Sequence, residues 1–178
     1  MRQPLTDAAA IAVEVARIHA LAPNNPNAEP DTNDAQVAAD ALGRKLLVVK
    51  VAAQSELDAA FATLAQKQVA TLFVAANVNF VAWRAQIIAL AMRHGIAASY
   101  TTREFVMAGG LMSYGPDQAE VFRQIGMYAG RILKGAKPAD MPVMQSAKFE
   151  FIINLRTAKA QALAMPPALL ALADEVIE

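Results

Sequence analysis

Strand-like and helical hydrophobic patterns alternate along the chain and are separated by short polar connections. Apolar runs bounded by charged or turn residues predict strands at residues 45–51, 71–75, 96–100, 111–114 and 148–154. Apolar residues spaced three and four apart predict helices at 31–42, 55–66, 80–94, 101–108 and 117–133, and two short helices at 155–163 and 166–177. The chain therefore reads as repeated strand and helix units.

The same hydrophobic pattern predicts which side of each strand and helix faces the protein interior. The run Lys45–Val51 is continuously apolar between its lysines, which is typical of a strand buried on both faces of a parallel sheet. Ser55–Asp58 approximates a capping box for the helix that follows. The residues expected to face inward from the helices are Val37, Ala38, Ala41 and Leu42; Leu57, Phe61 and Leu64; Phe80, Trp83, Ile87, Leu90 and Ala91; and Val121, Phe122, Ile125, Tyr128, Ala129 and Leu133.

The secondary structure of the first thirty residues is less clearly predicted by the hydrophobic pattern. Alanine-rich residues 8–16 favour a helix, whereas periodicity leaves residues 17–22 open between helix and strand. Residues 23–30 contain three prolines and three asparagines, which remove backbone donors and favour turns, so we expect a loop.

The order of these elements predicts the fold class. Strands alternating with helices through short connections favour right-handed βαβ units. We expect an α/β protein with a three-layer arrangement, a parallel sheet with helices on both faces.

Composition narrows the function classes. The 178 residues suit one domain or one lobe of a larger protein, and 16 basic residues against 16 acidic ones form no patch that would track nucleic acid. With no cysteine, the chain has no disulfide framework, thiolate nucleophile or cysteine-ligated metal site. No apolar run reaches the roughly 18 residues of a membrane span. Asp7 and Glu14 interrupt the segment that a signal-peptide core would occupy, so we do not expect an export signal there.

Catalytic chemistry is poorly supported. His19 and His94 are far apart in sequence, and His94 follows Arg93 at a predicted helix end, where capping explains it. Ser113 lies in Met-Ser-Tyr-Gly rather than in the Gly-x-Ser-x-Gly motif of esterases. Metal-ligand spacing and nucleotide fingerprints are absent, so we expect no enzyme, cofactor or metal.

Binding chemistry is better supported. Asn25, Asn77, Asn79, Ser113 and Tyr114 all fall in loops or at strand ends, where the carboxyl edge of a parallel sheet places ligands. The competing interpretation is that the asparagines are turn residues. Arg103 and Glu104 are expected to pair locally on a helix end, unless one of them reaches the cleft.

Several motifs carry a family resemblance. They are Arg103–Val106, the run Gly109–Asp117, Ile132–Asp140, Lys148–Glu150, Ile153–Leu155, Thr157–Ala160 and Ala173–Glu178, preceded by Pro23–Glu29. Together they resemble the carboxyl-terminal part of ABC-transporter substrate-binding proteins of the tryptophan/tyrosine type, which have the type I periplasmic binding protein fold. The resemblance covers roughly residues 17–178 and favours a strand for residues 17–22.

The resemblance implies a periplasmic receptor whose two α/β lobes close on a small polar solute, such as an amino acid, and present it to an inner-membrane ABC permease. It implies that residues 17–101 and 148–178 form the second lobe, that 102–147 form the crossover and part of the first lobe, and that 1–16 are a remnant helix. Thr101, Gly109 and Gly110 would lie at the hinge, with Ser113 and Tyr114 facing the interlobe cleft. Family members begin with an export signal and a complete first lobe, so this chain resembles an amino-terminally truncated member, cytoplasmic if expressed as given.

Such truncation has a physical consequence and an alternative. Without most of the first lobe, the helix at 117–133 would expose its apolar face and favour a homodimer. The alternative function is a stand-alone flavodoxin-like α/β module that binds other proteins through this face and takes no solute.

Overall fold

A seven-stranded sheet forms the centre of the structure. The computed structural model describes residues 17–24, 28–142 and 148–178, so the helix predicted at 8–16 lies outside the described residues. The strands are β1 (Arg17–Pro23), β2 (Lys45–Val51), β3 (Thr71–Val74), β4 (Ala97–Tyr100), β5 (Met112–Pro116), β6 (Phe149–Asn154) and β7 (Glu175–Ile177). They lie in the order β2-β1-β3-β4-β5-β6-β7, and residues 17–22 are a strand, as the resemblance indicated.

Eight α-helices connect the strands in the described part of the chain. They are α1 (Glu29–Ala41), α2 (Leu57–Gln66), α3 (Val78–Ala82), α4 (Arg84–Arg93), α5 (Arg103–Met107), α6 (Gln118–Leu133), α7 (Leu155–Ala160) and α8 (Pro167–Leu170). Short 3-10 turns occupy Gln54–Glu56 and Pro138–Asp140.

The sheet is mainly parallel, and one pair departs from the prediction. Strands β1 to β5 pair in parallel, but β5 pairs antiparallel with β6, and β7 then runs parallel to β6. A parallel neighbour requires a crossover along the length of the sheet. The segment that contains α6 instead leaves the sheet and returns to it at the same edge. At this edge Asp117 N, where the chain leaves, donates at 3.0 Å to the carbonyl of Lys148, where it returns.

The larger core lies on one face of the sheet. Leu57, Phe61 and Leu64 of α2 are fully buried, as predicted from their spacing. They join a cluster with residues of α4 and α5 and with strand residues that alternate along β3 and β4, namely Ile87, Leu90, Ala91, Phe105, Leu72, Val74, Ala98 and Tyr100.

A second core covers the opposite face. Leu111, Met112, Phe151, Ile153 and Ala158 are buried together, with Leu155 and Leu169 packed against them. Ala97 packs on this cluster, whereas its neighbour Ala98 belongs to the first, and adjacent strand residues point to opposite faces. Helices therefore cover both faces, which confirms the three-layer α/β architecture.

Strand β2 differs from the prediction in burial. It lies at the edge of the sheet, and most of its residues are only partly buried, so it is not covered on both faces. Helix α1, which packs near it, turns Ala39 inward, while Val37 is 68% exposed and Leu42 is 40% exposed. Alanine on the buried side lets the helix approach closely.

Three helix predictions need correction. The helix predicted at 80–94 is divided at Trp83, which ends α3 and precedes α4 while packing on the first core. Ser55 does not cap α2; Glu56 holds that position, and its carboxylate accepts a hydrogen bond from Ala52 N at 2.7 Å. Residues 175–177, predicted as helix, form β7, because Val176 and Ile177 pair with β6.

Helix α6 is the clearest departure in burial. It contains no buried residue, and Phe122, Ile125 and Leu133 on its predicted inward side are 66%, 58% and 87% exposed. The amphipathic pattern was real, but no element described in the structure buries its apolar face.

Candidate functional site

The carboxyl edge of the sheet gathers the predicted ligand-binding segments. Val74 is in register with Tyr100, and Tyr100 with Ser113, so the residues that follow β3 and β4 lie beside the end of β5. Asn24, after β1, is anchored at the same edge through its backbone N to Val51 O at 2.9 Å. Asn25 lies outside the described residues.

Asn77 ends the loop between β3 and α3, and Asn79 lies in the first turn of α3. The Asn77 side-chain oxygen accepts a hydrogen bond from Asn79 N at 2.9 Å and caps α3. This is the turn role weighed from the sequence, and it commits that oxygen locally. The Asn79 side chain is exposed at the carboxyl edge.

Tyr114 and Ser113 lie on opposite faces of β5. Tyr114 is half-buried and stacks on Phe149 at a centroid distance of 5.6 Å, with Phe151 edge-on at 6.3 Å. Ser113 is 2% exposed, so its hydroxyl lies in the interior of the fold. At this edge, β5 therefore presents the aromatic ring of Tyr114 rather than the hydroxyl of Ser113.

An ionic cluster that the sequence did not indicate lies beside them. Arg103, the first residue of α5, donates to Glu150 at 2.7 Å and to Glu175 at 2.9 Å instead of pairing with Glu104. Burial lowers the pKa of Arg103, but the two carboxylates outweigh burial and the pKa is raised overall. The guanidinium thus joins α5, β6 and β7, and no local sequence signal identifies partners 47 and 72 residues away.

The residues predicted as a hinge, Thr101, Gly109 and Gly110, lie in the short connections on either side of α5, between strands β4 and β5. Gly109 adopts a φ of +102°, and its carbonyl accepts a hydrogen bond from the Thr157 hydroxyl at 2.9 Å. A Cβ on Gly110 would lie 2.8 Å from Phe105 O, and one on Gly115 would lie 1.8 Å from Thr101 O. These glycines allow close packing around β5, which pairs with β4 and β6 on its two sides.

The described part of the chain shows neither a metal-binding cluster nor a membrane-spanning helix. No three histidine, cysteine, aspartate or glutamate side chains there converge closely enough to hold a metal ion. None of the helices in those residues combines the length and apolar character required to cross a membrane. His94 packs against Phe61 with ring centroids 6.3 Å apart, which places it at the core boundary.

Comparison with solved structures identifies the fold. A conserved domain protein of Vibrio cholerae O1 biovar El Tor matches at a TM-score of 0.88 and 19% identity, covering 97% of this chain and 60% of that one. A Streptococcus pneumoniae ABC domain in complex with L-Trp matches at 0.88 and 22% identity, covering 98% and 60%. A ligand-free, open substrate-binding protein with adhesive properties from Clostridium difficile matches at 0.70 and 20% identity, covering 96% and 58%. The chain thus spans about 60% of the length of the first two of these relatives.

Sequence comparison gives the family. No curated protein sequence matches significantly. The profile of the ABC transporter substrate binding protein family, by contrast, matches residues 11–177, which is nearly the whole chain. Members of this family are periplasmic binding proteins rather than enzymes. The protein therefore belongs to the ABC transporter substrate binding protein family.

Proposed function

We propose that the protein is the solute-binding component of an ABC importer and binds a small polar solute, an amino acid or a similar molecule, in a cleft between two lobes. The observation that carries the proposal is the family match over residues 11–177. The likeness to a structure in complex with L-Trp supports an amino-acid-sized ligand. An inner-membrane ABC permease is the partner that this function requires.

The proposed binding surface is the carboxyl edge. Asn25, Asn77, Asn79, Ser113 and Tyr114 remain the proposed ligand residues. The exposed Asn79 amide and the half-buried Tyr114 ring are the two best placed among the described ones. An amide would orient polar groups of the solute, and the ring would supply a stacking surface. Ser113 would act from beneath this surface, since it is buried.

The pairing of β5 supports a revised proposal for the lobe boundaries. The resemblance implies that residues 102–147 form the crossover and part of the first lobe, yet β5 pairs on both sides with strands assigned to the second lobe. We infer that this lobe comprises residues 17–116 and 149–178, and that 117–148 belong to the first lobe, whose remaining sequence corresponds to the 40% of the relatives' length that this chain does not match. Such a first lobe would cover the apolar face of α6.

The boundary can be tested by excision. Replacing 117–148 with an Asn-Gly turn joins Pro116 to Phe149, which already pair across the sheet. Neither core contains an α6 residue, so the melting temperature should stay within about 4 °C, equivalent to roughly 1 kcal/mol. A shortened chain that fails to fold would place α6 inside the lobe.

Solute binding is tested by a thermal-shift screen with individual L-amino acids. The screen uses this chain and a form fused to the first lobe of a relative. At a free ligand concentration a hundred times the dissociation constant, binding stabilises the folded form by about 2.7 kcal/mol, or roughly 5–11 °C in melting temperature. Asn79→Ala should reduce the shift, whereas Asn33→Ala, exposed on α1, should leave it unchanged. No shift with any amino acid in the fused form would reject the proposal.

The alternative of a protein-interaction module rests on the exposed apolar residues of α6. It predicts that the chain associates through this face, that Phe122→Glu, at a residue 66% exposed, abolishes the association, and that no amino acid gives a thermal shift. Sedimentation distinguishes the two functions, because a monomer near 18.9 kDa that still gives a thermal shift supports only the importer component.

A further inference from the structure

The segment 117–148 joins the sheet through a two-residue neck, Asp117 and Lys148. Asp117 N donates to the Lys148 carbonyl at 3.0 Å, which extends the β5–β6 ladder by one step beyond the pair Pro116–Phe149. The Lys148 ammonium also donates to Asp117 Oδ2 at 2.6 Å. Backbone and side chains therefore close the neck together.

The Asp117 carboxylate has a second function in the same place. Its other oxygen, Oδ1, accepts a hydrogen bond from Glu120 N at 3.2 Å and caps the first turn of α6. One carboxylate thus binds the start of α6 and the start of β6 at once. The Asp117 side chain is only 13% exposed, and its hydrogen bond with Lys148 holds the pKa of Asp117 below its usual value.

The described contacts of α6 add little to this attachment. None of its residues is buried, and Gly126 has open space where a Cβ would lie. The side-chain hydrogen bonds described for Glu120, Arg123 and Gln124 stay within the helix, and the Tyr128 hydroxyl donates to Pro142 O of the same segment. Among these described contacts, only those at the neck join α6 to the sheet.

The residues before the neck are locked instead. The Gly115 backbone lies too close to Thr101 O for any Cβ, and Gly110 N donates to Phe105 O at 2.7 Å. Rotation of α6 about either glycine would break the β4–β5 pairing or the packing of α5. The first point along β5 at which the chain can turn without disturbing the sheet is Asp117.

We propose that Asp117 is a positioning residue: its carboxylate, clamped by Lys148, sets the angle between α6 and the sheet and forms the pivot between the two lobes. The pivot role rests on the proposed function. The angle itself is a property of this chain and is measurable without any solute, so failure here is distinguishable from failure of solute binding.

The test is a distance measurement between spin labels on α6 and α4. Because the chain has no cysteine, Arg131→Cys and Ala89→Cys, both at exposed helical positions, provide the only two labels. Double electron–electron resonance should give a narrow distance distribution in this background. Asp117→Asn keeps a capping side chain but loses the charge, and Lys148→Met loses the ammonium; each should broaden the distribution at least twofold.

Matched variants separate the clamp from general stability. Lys148→Arg keeps a cationic donor and should retain the narrow distribution, and Arg123→Gln removes an ion pair internal to α6 and should leave the width unchanged. Circular dichroism reports whether α6 stays helical in every variant. An unchanged width in both clamp variants, equal broadening by Arg123→Gln, or broadening accompanied by loss of helix would each overturn the proposal.

Discussion

Gly115→Ala provides a sharp test of the packing at the carboxyl edge. A Cβ built at this position lies 1.8 Å from Thr101 O and 2.8 Å from the Thr101 carbonyl carbon. Real Cβ contacts are essentially never shorter than 3.0 Å, so β5 would have to move by about 1.2 Å, the difference between these distances. Both neighbouring atoms belong to the backbone, and no side-chain rotation can relieve the overlap.

The cost can be estimated from overpacking in cores, about 1–3 kcal/mol, and the upper end applies because the overlapping atoms belong to the Thr101 backbone. Alanine recovers about 0.5–1 kcal/mol relative to glycine in a strand. We therefore expect a net loss of about 2 kcal/mol, or a melting temperature lower by roughly 4–8 °C, measured by circular dichroism and by urea unfolding.

Gly126→Ala is the matched control. The same methyl group placed on α6 meets no atom within 4 Å, and alanine favours the helix by about 0.5–1 kcal/mol. This variant should melt at or slightly above the temperature of the parent chain. If Gly115→Ala melts as Gly126→Ala does, the close approach of β5 to Thr101 is not a constraint and the argument for a locked strand fails.

Two further predictions concern charges. Arg103→Ala should lower the free energy of unfolding, measured in urea, by about 1–2 kcal/mol, because it loses two charge-assisted hydrogen bonds. Arg103→Lys should recover only part of this loss, since an ammonium lacks the guanidinium fork. Arg93→Ala is the control and should change the free energy of unfolding little, because the exposed pair of Arg93 with Asp58 spans 3.8 Å. Hydrogen bonds from Arg123 and then Gln124 lower the pKa of Glu120 to about 2, below its value of 4.5 in an unfolded chain. Its stabilisation of α6 is therefore present above pH 4.5 and lost as the pH falls towards 2, and a helicity titration by circular dichroism should lose that component in Glu120→Gln.

Local sequence patterns predict the helices and strands whose buried face follows from the spacing of their own apolar residues. Leu57, Phe61 and Leu64 recur at four and three residues, so one helical face had to be apolar wherever α2 packed, and all three are buried. Strand β3 is likewise predicted from a local pattern, a short run that contains β-branched and aromatic residues.

Direction and partners could not be read from such patterns. An alternating strand such as β6 has the same period in either direction, and its antiparallel pairing depends on where the α6 segment re-enters the sheet. Residues 175–177 suit a helix by composition, but the ladder with β6 prevails. In the site, the cap formed by Asn77 is a local contact that the sequence analysis did not assign, whereas the partners of Arg103 are set by tertiary structure alone.

Around β5, the glycines permit tight packing, and a pair of charged side chains lies where we place the mobility. Glycines in a linking segment suggest mobility, because they permit many backbone conformations. Here Gly110 and Gly115 are surrounded by backbone atoms that exclude a Cβ, so their small size permits tight packing and makes the strand rigid. We therefore place the proposed pivot where packing ends, at Asp117, whose carboxylate is held by hydrogen bonds rather than by a core. A pivot of this kind can change angle by exchanging polar contacts with water at low cost, which a packed strand cannot do, and this is the physical reason for placing lobe motion at the neck.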